Sequence, residues 1–197
     1  MSAKFFYGYS KGLTMKKRLD NIAPFLAPVP AAVISVASEN LGDNIIAISW
    51  IGVAASEPPQ VTIGVRRDNR FSYKHLQENG EFVVNIPSEK HVDSVAKSGT
   101  IHGEGIDKFA VCGFTRAKAD VVKVPLVAEC PINLECVVRH VLNLGSHDLF
   151  VGEIVAVHID EEILTDGKID AAKLQPLGYL PNTGKYFGIR TPEIFCH

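Results

Sequence analysis

The sequence lacks the features that mark several large classes of protein. Its longest apolar stretch, 22–37, contains Pro24, Pro28 and Pro30, so it cannot form a continuous membrane-spanning helix. No charge of one sign dominates. There are 20 Lys and Arg against 22 Asp and Glu, a formal net charge of −2, whereas broad nucleic-acid binding usually shows as a strongly basic face. Cysteine is scarce. Cys112, Cys130, Cys136 and Cys196 include no C-x-x-C pair, which argues against a zinc ribbon or a thioredoxin-like centre. There is no G-x-G-x-x-G after a strand, no Walker P-loop, no G-x-S-x-G elbow and no H-E-x-x-H. The seven histidines, at 75, 91, 102, 140, 147, 158 and 197, form no i, i+4 ligand pair on a convincing helix, so no metal site is expected.

What is present describes a globular chain. It is 46% hydrophobic and 21% charged over 197 residues, too apolar and too balanced in charge for disorder. At this length one domain is expected, with a core that needs no metal or disulfide staple. The cysteines read as reduced packing residues, which fits a cytoplasmic location. The basic Met15-Lys16-Lys17-Arg18 ahead of the apolar stretch imitates a signal peptide, but the prolines break its apolar region. Residues 1–20 are read as an N-terminal arm and 21–197 as the folded domain.

Local patterns predict a mainly β fold with short helices. Residues 31–37 form a short apolar, β-branched run, read as a buried strand. Asn40, Gly42 and Asp43 make a turn, and 44–55 returns as a second strand ended by Glu57-Pro58-Pro59. Residues 60–65 alternate as a third strand, with Val61, Ile63 and Val65 on one face. After the polar turn 66–70, with Asn69 as a possible cap, Phe71–Asn79 reads as a helix closed by Gly80. Glu81–Ile86 is a strand, and 91–98 a second short helix ended by Gly99. Residues 100–119 read as an ordered loop and 121–129 as extended. The longest strands, 132–144 and 148–159, are joined by a hairpin loop. From Thr165 the chain becomes irregular. About seven strands with short connections favour an antiparallel barrel with helices outside.

The segment 44–72 carries the chemistry. A strand runs through Ser49 and Trp50 into the small residues Gly52, Ala54 and Ala55, where a planar ligand can approach the backbone. Trp50 is either a core residue or a rigid aromatic surface. Arg66, Arg67, Asn69 and Arg70 lead into Ser72 at a helix start. Free N–H groups and guanidinium forks there suit an anion, although an arginine-rich turn is also an ordinary solvated surface. A planar group at one place and a phosphate at the other describe a mononucleotide.

These residues also carry a resemblance. N-I-I-A-I-S-W (44–50), S-E-P-P-Q-V-T-I-G-V-R (56–66) and R-F-S-Y (70–73) are followed by G-E-F-V-V-N (80–85). Then come Ser98-Gly99, Asp107-Lys108-Phe109, V-P-L (124–126) and H-D-L-F-V-G-E (147–153). In this order and spacing, from about residue 25 to 190, the chain resembles the flavin reductase-like FMN-binding split barrels, nearest the flavoredoxin-type branch. The resemblance implies a six-stranded antiparallel split β-barrel, a homodimer and one FMN per subunit near the dimer interface. It implies an oxidoreductase passing hydride from NAD(P)H to the flavin. Electrons would go on to an acceptor: free flavin, ferric iron or a redox protein. An FMN electron carrier without nicotinamide activity is the alternative, and a non-catalytic ligand-binding barrel a third reading.

By position, Ser49, Trp50 and Ile51 would line the isoalloxazine and ribityl chain, largely through backbone groups. Arg66, Asn69, Arg70 and Ser72 would hold the phosphate, with Ser98 and Lys108 as further phosphate or ribityl candidates. His147 and Phe150 would sit near the flavin, supplied by the same subunit or by the partner subunit. Tyr179, Tyr186 and Phe187 either cover the flavin or pack on the barrel, and packing is the preferred reading. The chain departs from the family pattern at Asn69, often small or hydroxyl-bearing, and at Arg67, usually proline. No catalytic acid or base is demanded, since the redox chemistry would belong to the flavin.

Overall fold

The structure, a computed structural model, describes residues 16–189. Most of the expected N-terminal arm, and Cys196, lie outside the described residues. Seven antiparallel strands form the main sheet: β1 (Ala32–Ser38), β2 (Gly42–Ile48), β3 (Ile51–Ser56), β4 (Pro59–Arg66), β5 (Glu81–Ile86), β6 (Ile132–Asn143) and β7 (His147–Ile159). Their order across the sheet is β2-β1-β5-β6-β7-β4-β3.

The expectation of a six-stranded antiparallel split β-barrel is corrected in two ways. The strand expected over 44–55 breaks at Ser49 and Trp50 into β2 and β3, and these lie at opposite edges of the sheet. No described pair of strands hydrogen-bonds those edges together. The extended segment 121–129 stays outside the sheet, and only Leu126–Val127 pairs, with Arg116–Ala117. The number seven therefore agrees with the count from local patterns, but the membership differs.

Chain connectivity still forces the sheet to curl. Seven flat strands about 4.8 Å apart would hold their edges roughly 29 Å apart. Ile48 and Ile51, on the two edges, are only three residues apart, so their Cα atoms lie within about 11 Å. The curl encloses a core containing Ile34, Ile46, Ile63, Phe82, Val84 and Phe150. A second core lies on the outer face, where Val33 and Ile45 pack with Val95, Phe109 and Phe114. Burial on both faces explains why β1 reads as an unbroken apolar run.

Three helices frame one end of this curl: α1 (Phe71–Asn79), α2 (Val92–Thr100) and α3 (Lys108–Cys112). α1 ends as expected, with Gly80 at φ 67° and its N–H on the Leu76 carbonyl. Its N-cap position is Arg70 rather than Asn69, with no capping side-chain bond. α2 runs through Gly99 instead of stopping there. A Cβ at Gly99 would come within 3.3 Å of Ala47 Cβ, so close packing on β2 accounts for this glycine. α3 falls in the expected loop 100–119, started by Asp107, whose carboxylate accepts the Ala110 N–H. The tail expected to be irregular contains a hairpin, Leu177–Leu180 with Lys185–Gly188, which also pairs with Val29–Pro30.

Cys112, Cys130 and Cys136 are free and buried. Burial raises all three thiols, Cys136 to about 12, so they pack as neutral groups. Among the described residues no helix is long and apolar enough to cross a membrane.

Candidate functional site

A cleft of about 460 Å³ opens where the two sheet edges meet, within the roughly 300–1,000 Å³ usual for ligand pockets. Its floor is the end of β2, the Ser49–Trp50 break and Gly64 of β4. Trp50 is 44% exposed, so it is not a core residue. Gly64 lets it lie flat on the strand: the Gly64 N–H donates to the Trp50 carbonyl at 2.7 Å, and a Cβ at Gly64 would sit 3.1 Å from Trp50 Cβ. His147, at the start of β7, stacks on Trp50 with centroids 5.9 Å apart and planes 8° from parallel. Burial lowers the His147 pKa, and Arg66 and Arg70 lower it further, so the ring is neutral at pH 7.

Arg66, Asn69 and Arg70 form one wall. Arg70 Nη1 donates to the Gly99 carbonyl at 3.0 Å, joining the turn to the end of α2. Among the described residues no carboxylate lines the cleft, so its field is cationic at the end of the arginine turn. The opposite wall combines Ala96, Gly99 and Thr100 of α2 with Tyr179 and Tyr186. The two tyrosines are cross-strand partners with ring centroids 5.0 Å apart.

The structure therefore brings Ser49, Trp50, Arg66, Asn69, Arg70 and His147 together. It does not bring the other expected residues to the cleft surface. The Ile51 side chain packs against the inner core; the contact expected of this residue is largely a backbone one, which that packing leaves open. Ser72 is 1% exposed, and its hydroxyl accepts from Asn44 Nδ2 at 2.9 Å. The Ser98 hydroxyl turns back to the Val95 carbonyl at 2.8 Å. Lys108 is buried, and its ammonium donates to the Ser98 carbonyl at 2.5 Å. Burial lowers its pKa to about 8, helped by Arg70 and opposed by Cys112. It caps the C-terminal end of α2 rather than facing a ligand. Phe150 is 2% exposed and meets Tyr73 edge-on at 5.8 Å. The reason is strand alternation: His147 faces the cleft, so Phe150, three residues on, faces the other side.

Sequence reasoning missed Ala96, Gly99 and Thr100 as lining residues, and it preferred packing over flavin cover for Tyr179 and Tyr186, which line the cleft. Ala96, Gly99 and Thr100 sit at i, i+3 and i+4, a strip of small residues on one helical face. The tyrosines become visible as a pair only once the hairpin register is known.

A separate cluster joins Asp120, Glu135 and His158, whose ligand-type atoms lie within 4.8 Å of one another. Glu135 is fully buried. One of its oxygens accepts from Asp120 N at 2.8 Å and pairs with His158 Nε2 at 2.6 Å. The other accepts from Val121 N and Val122 N, both at 2.8 Å. Burial alone would raise this carboxyl, but the backbone donors and His158 hold it at about 2. Both oxygens are saturated, so the cluster ties the 120–122 segment to β6.

Residues 26–188 match the family model described as the flavin reductase like domain. The chain belongs to this family. Among solved structures it is similar to the flavoredoxin of Desulfovibrio vulgaris (Miyazaki F), at 30% identity and TM-score 0.85, with 93% of this chain and 97% of that one covered. It is also similar to a flavoredoxin from Methanosarcina acetivorans, at 27% identity and TM-score 0.81, covering 93% and 95%. An uncharacterised protein of Archaeoglobus fulgidus is 33% identical over 156 residues, 79% of this chain and 86% of that protein. The resemblance read from the residues is upheld, and the flavin reductase-like fold is that of a curled, split sheet.

Proposed function

We propose that the cleft binds FMN and that the chain is a flavin-dependent oxidoreductase taking electrons from NAD(P)H. The observation that carries this reading is the cleft's mixed lining. It combines an exposed aromatic slab, Trp50, with the guanidinium groups of Arg66 and Arg70, and no carboxylate stands among its described lining residues. Bound FMN would supply reversible two-electron chemistry that no side chain of the cleft provides.

The chain's own residues do the rest. Arg66, Asn69 and the free Nη2 and Nε of Arg70 offer charged and neutral donors to a phosphate. Gly64 and Gly99 keep Cβ atoms out of the cleft, so a flat ring can reach the backbone. The Trp50–His147 stack and the tyrosine pair shield the ring from water on two sides. The two guanidinium charges favour an anionic ligand and the added charge of its reduction. The reading includes a homodimer, for which exposed Val53, Val141, Leu142 and Leu144 supply apolar surface.

Trp50 is the only tryptophan, which makes the test direct. Titration with FMN should quench its fluorescence and give a yellow complex. A protein that gains no flavin absorption and no quenching rejects the proposal. Anaerobic NADH and NADPH should then bleach the flavin band. Retained colour would support the carrier reading over the reductase. Light scattering tests the dimer.

A further inference from the structure

The arginine turn is anchored from behind by a buried carboxylate. His147 faces the cleft, so its neighbour Asp148 faces the opposite side of the strand. Asp148 is 6% exposed. Its Oδ2 accepts the Tyr73 hydroxyl at 2.6 Å. Its Oδ1 lies 3.0 Å from Arg67 Nε, a contact held by charge without an aligned hydrogen bond. Arg67 Nη2 in turn donates to the Gly145 carbonyl at 2.9 Å. One carboxylate thus joins the β6–β7 hairpin, the 66–70 turn and the first turn of α1. Its two partners, Arg67 and Tyr73, bracket Asn69 and Arg70 in sequence.

We propose that Asp148 is a positioning residue: through Arg67 and Tyr73 it sets the Arg66–Arg70 turn in the geometry that grips a ligand phosphate. The inference rests on the FMN reading above. A purely stabilising role would be met as well by apolar side chains, since a buried ion pair adds little net stability. What a pair with fixed partners provides is register. Arg67 cannot leave Asp148 without stranding a buried charge, so the turn between the two anchors is held to one conformation. Arg67 therefore serves from outside the cleft, although it belongs to the same basic cluster as Arg66 and Arg70.

The test compares FMN with riboflavin, which has the same ring and ribityl chain but no phosphate. Wild-type protein should bind FMN more tightly. Asp148→Asn should weaken FMN by about tenfold, the loss of roughly one charge-assisted bond, and leave riboflavin affinity within about twofold. Tyr73→Phe, which removes one oxygen and keeps the ion pair, should shift the ratio the same way but less. It carries the test if Asp148→Asn does not fold. Equal weakening of both ligands, or an unchanged ratio, overturns the inference. Wild-type protein that does not distinguish FMN from riboflavin overturns the phosphate site itself, and this inference with it.

Discussion

Replacing Glu135 by Gln should unsettle the fold in a pH-dependent way. The folded carboxyl titrates at about 2, against about 4.3 for a free glutamate. A shift of roughly two units corresponds to about 3 kcal/mol. His158 and Asp120 open one side of the cluster to solvent, so about 2 kcal/mol is the working figure. Because the folded pKa is depressed, this stabilisation is complete above the unfolded value. It is lost as pH falls from about 5 toward 2. Gln keeps the shape, loses the charge and turns an N–H₂ group toward an N–H donor. At pH 7 the variant should melt roughly 4–8 °C below wild type, given about 2–4 °C per kcal/mol at this size. At pH 3 the gap should shrink to about half. Thermal melts by far-UV circular dichroism at pH 3, 5 and 7 provide the measurement. A variant as stable as wild type at pH 7, or a gap of constant size from pH 7 to 3, would refute the reasoning.

Three other outcomes are expected. Arg70→Ala should raise the FMN Kd by about 10- to 100-fold, as for loss of a charge-assisted contact, and fluorescence titration reads it. Gly152→Ala should destabilise by about 1–3 kcal/mol, because a Cβ there runs into the Phe82 ring and comes within 3.2 Å of Cys136 Cβ; urea denaturation reads it. Phe150→Ala should cost about 3–5 kcal/mol of stability while leaving FMN affinity unchanged under conditions where the variant stays folded. That result would separate core packing from ligand contact at this residue.

How far the sequence announced all this depends on whether the signal was local. The alternation of Val61, Ile63 and Val65, the hairpin before His147 and the Gly80 stop are short-range patterns, and all appear in the structure. The break at Ser49–Trp50 is not local. Residues 44–55 are mostly apolar, with β-branched Ile45, Ile46, Ile48, Ile51 and Val53 on both sides of the break, and only the pairing of β3 with β4 rather than with β1 splits them. The cleft shows the same division. The arginine turn and Trp50 stand out in one stretch of chain, whereas Tyr179 arrives from far along the sequence by pairing with Val29. Ser72, Ser98 and Lys108 are polar residues of the right type, but helix ends and buried neighbours satisfy them. Residue type cannot show that a hydroxyl already has a partner.

The two-residue link between Ile48 and Ile51 works as a drawstring on the rim of the sheet. Its length sets the circumference at that end. Inserting one residue beside Ser49 would slacken the rim by up to about 3.5 Å. To keep the pairing of β3, the chain would have to absorb the extra residue as a bulge; otherwise every side chain of that strand would turn to the other face. The mouth of the cleft is thus gauged by counting residues along the backbone, before any side chain has been chosen.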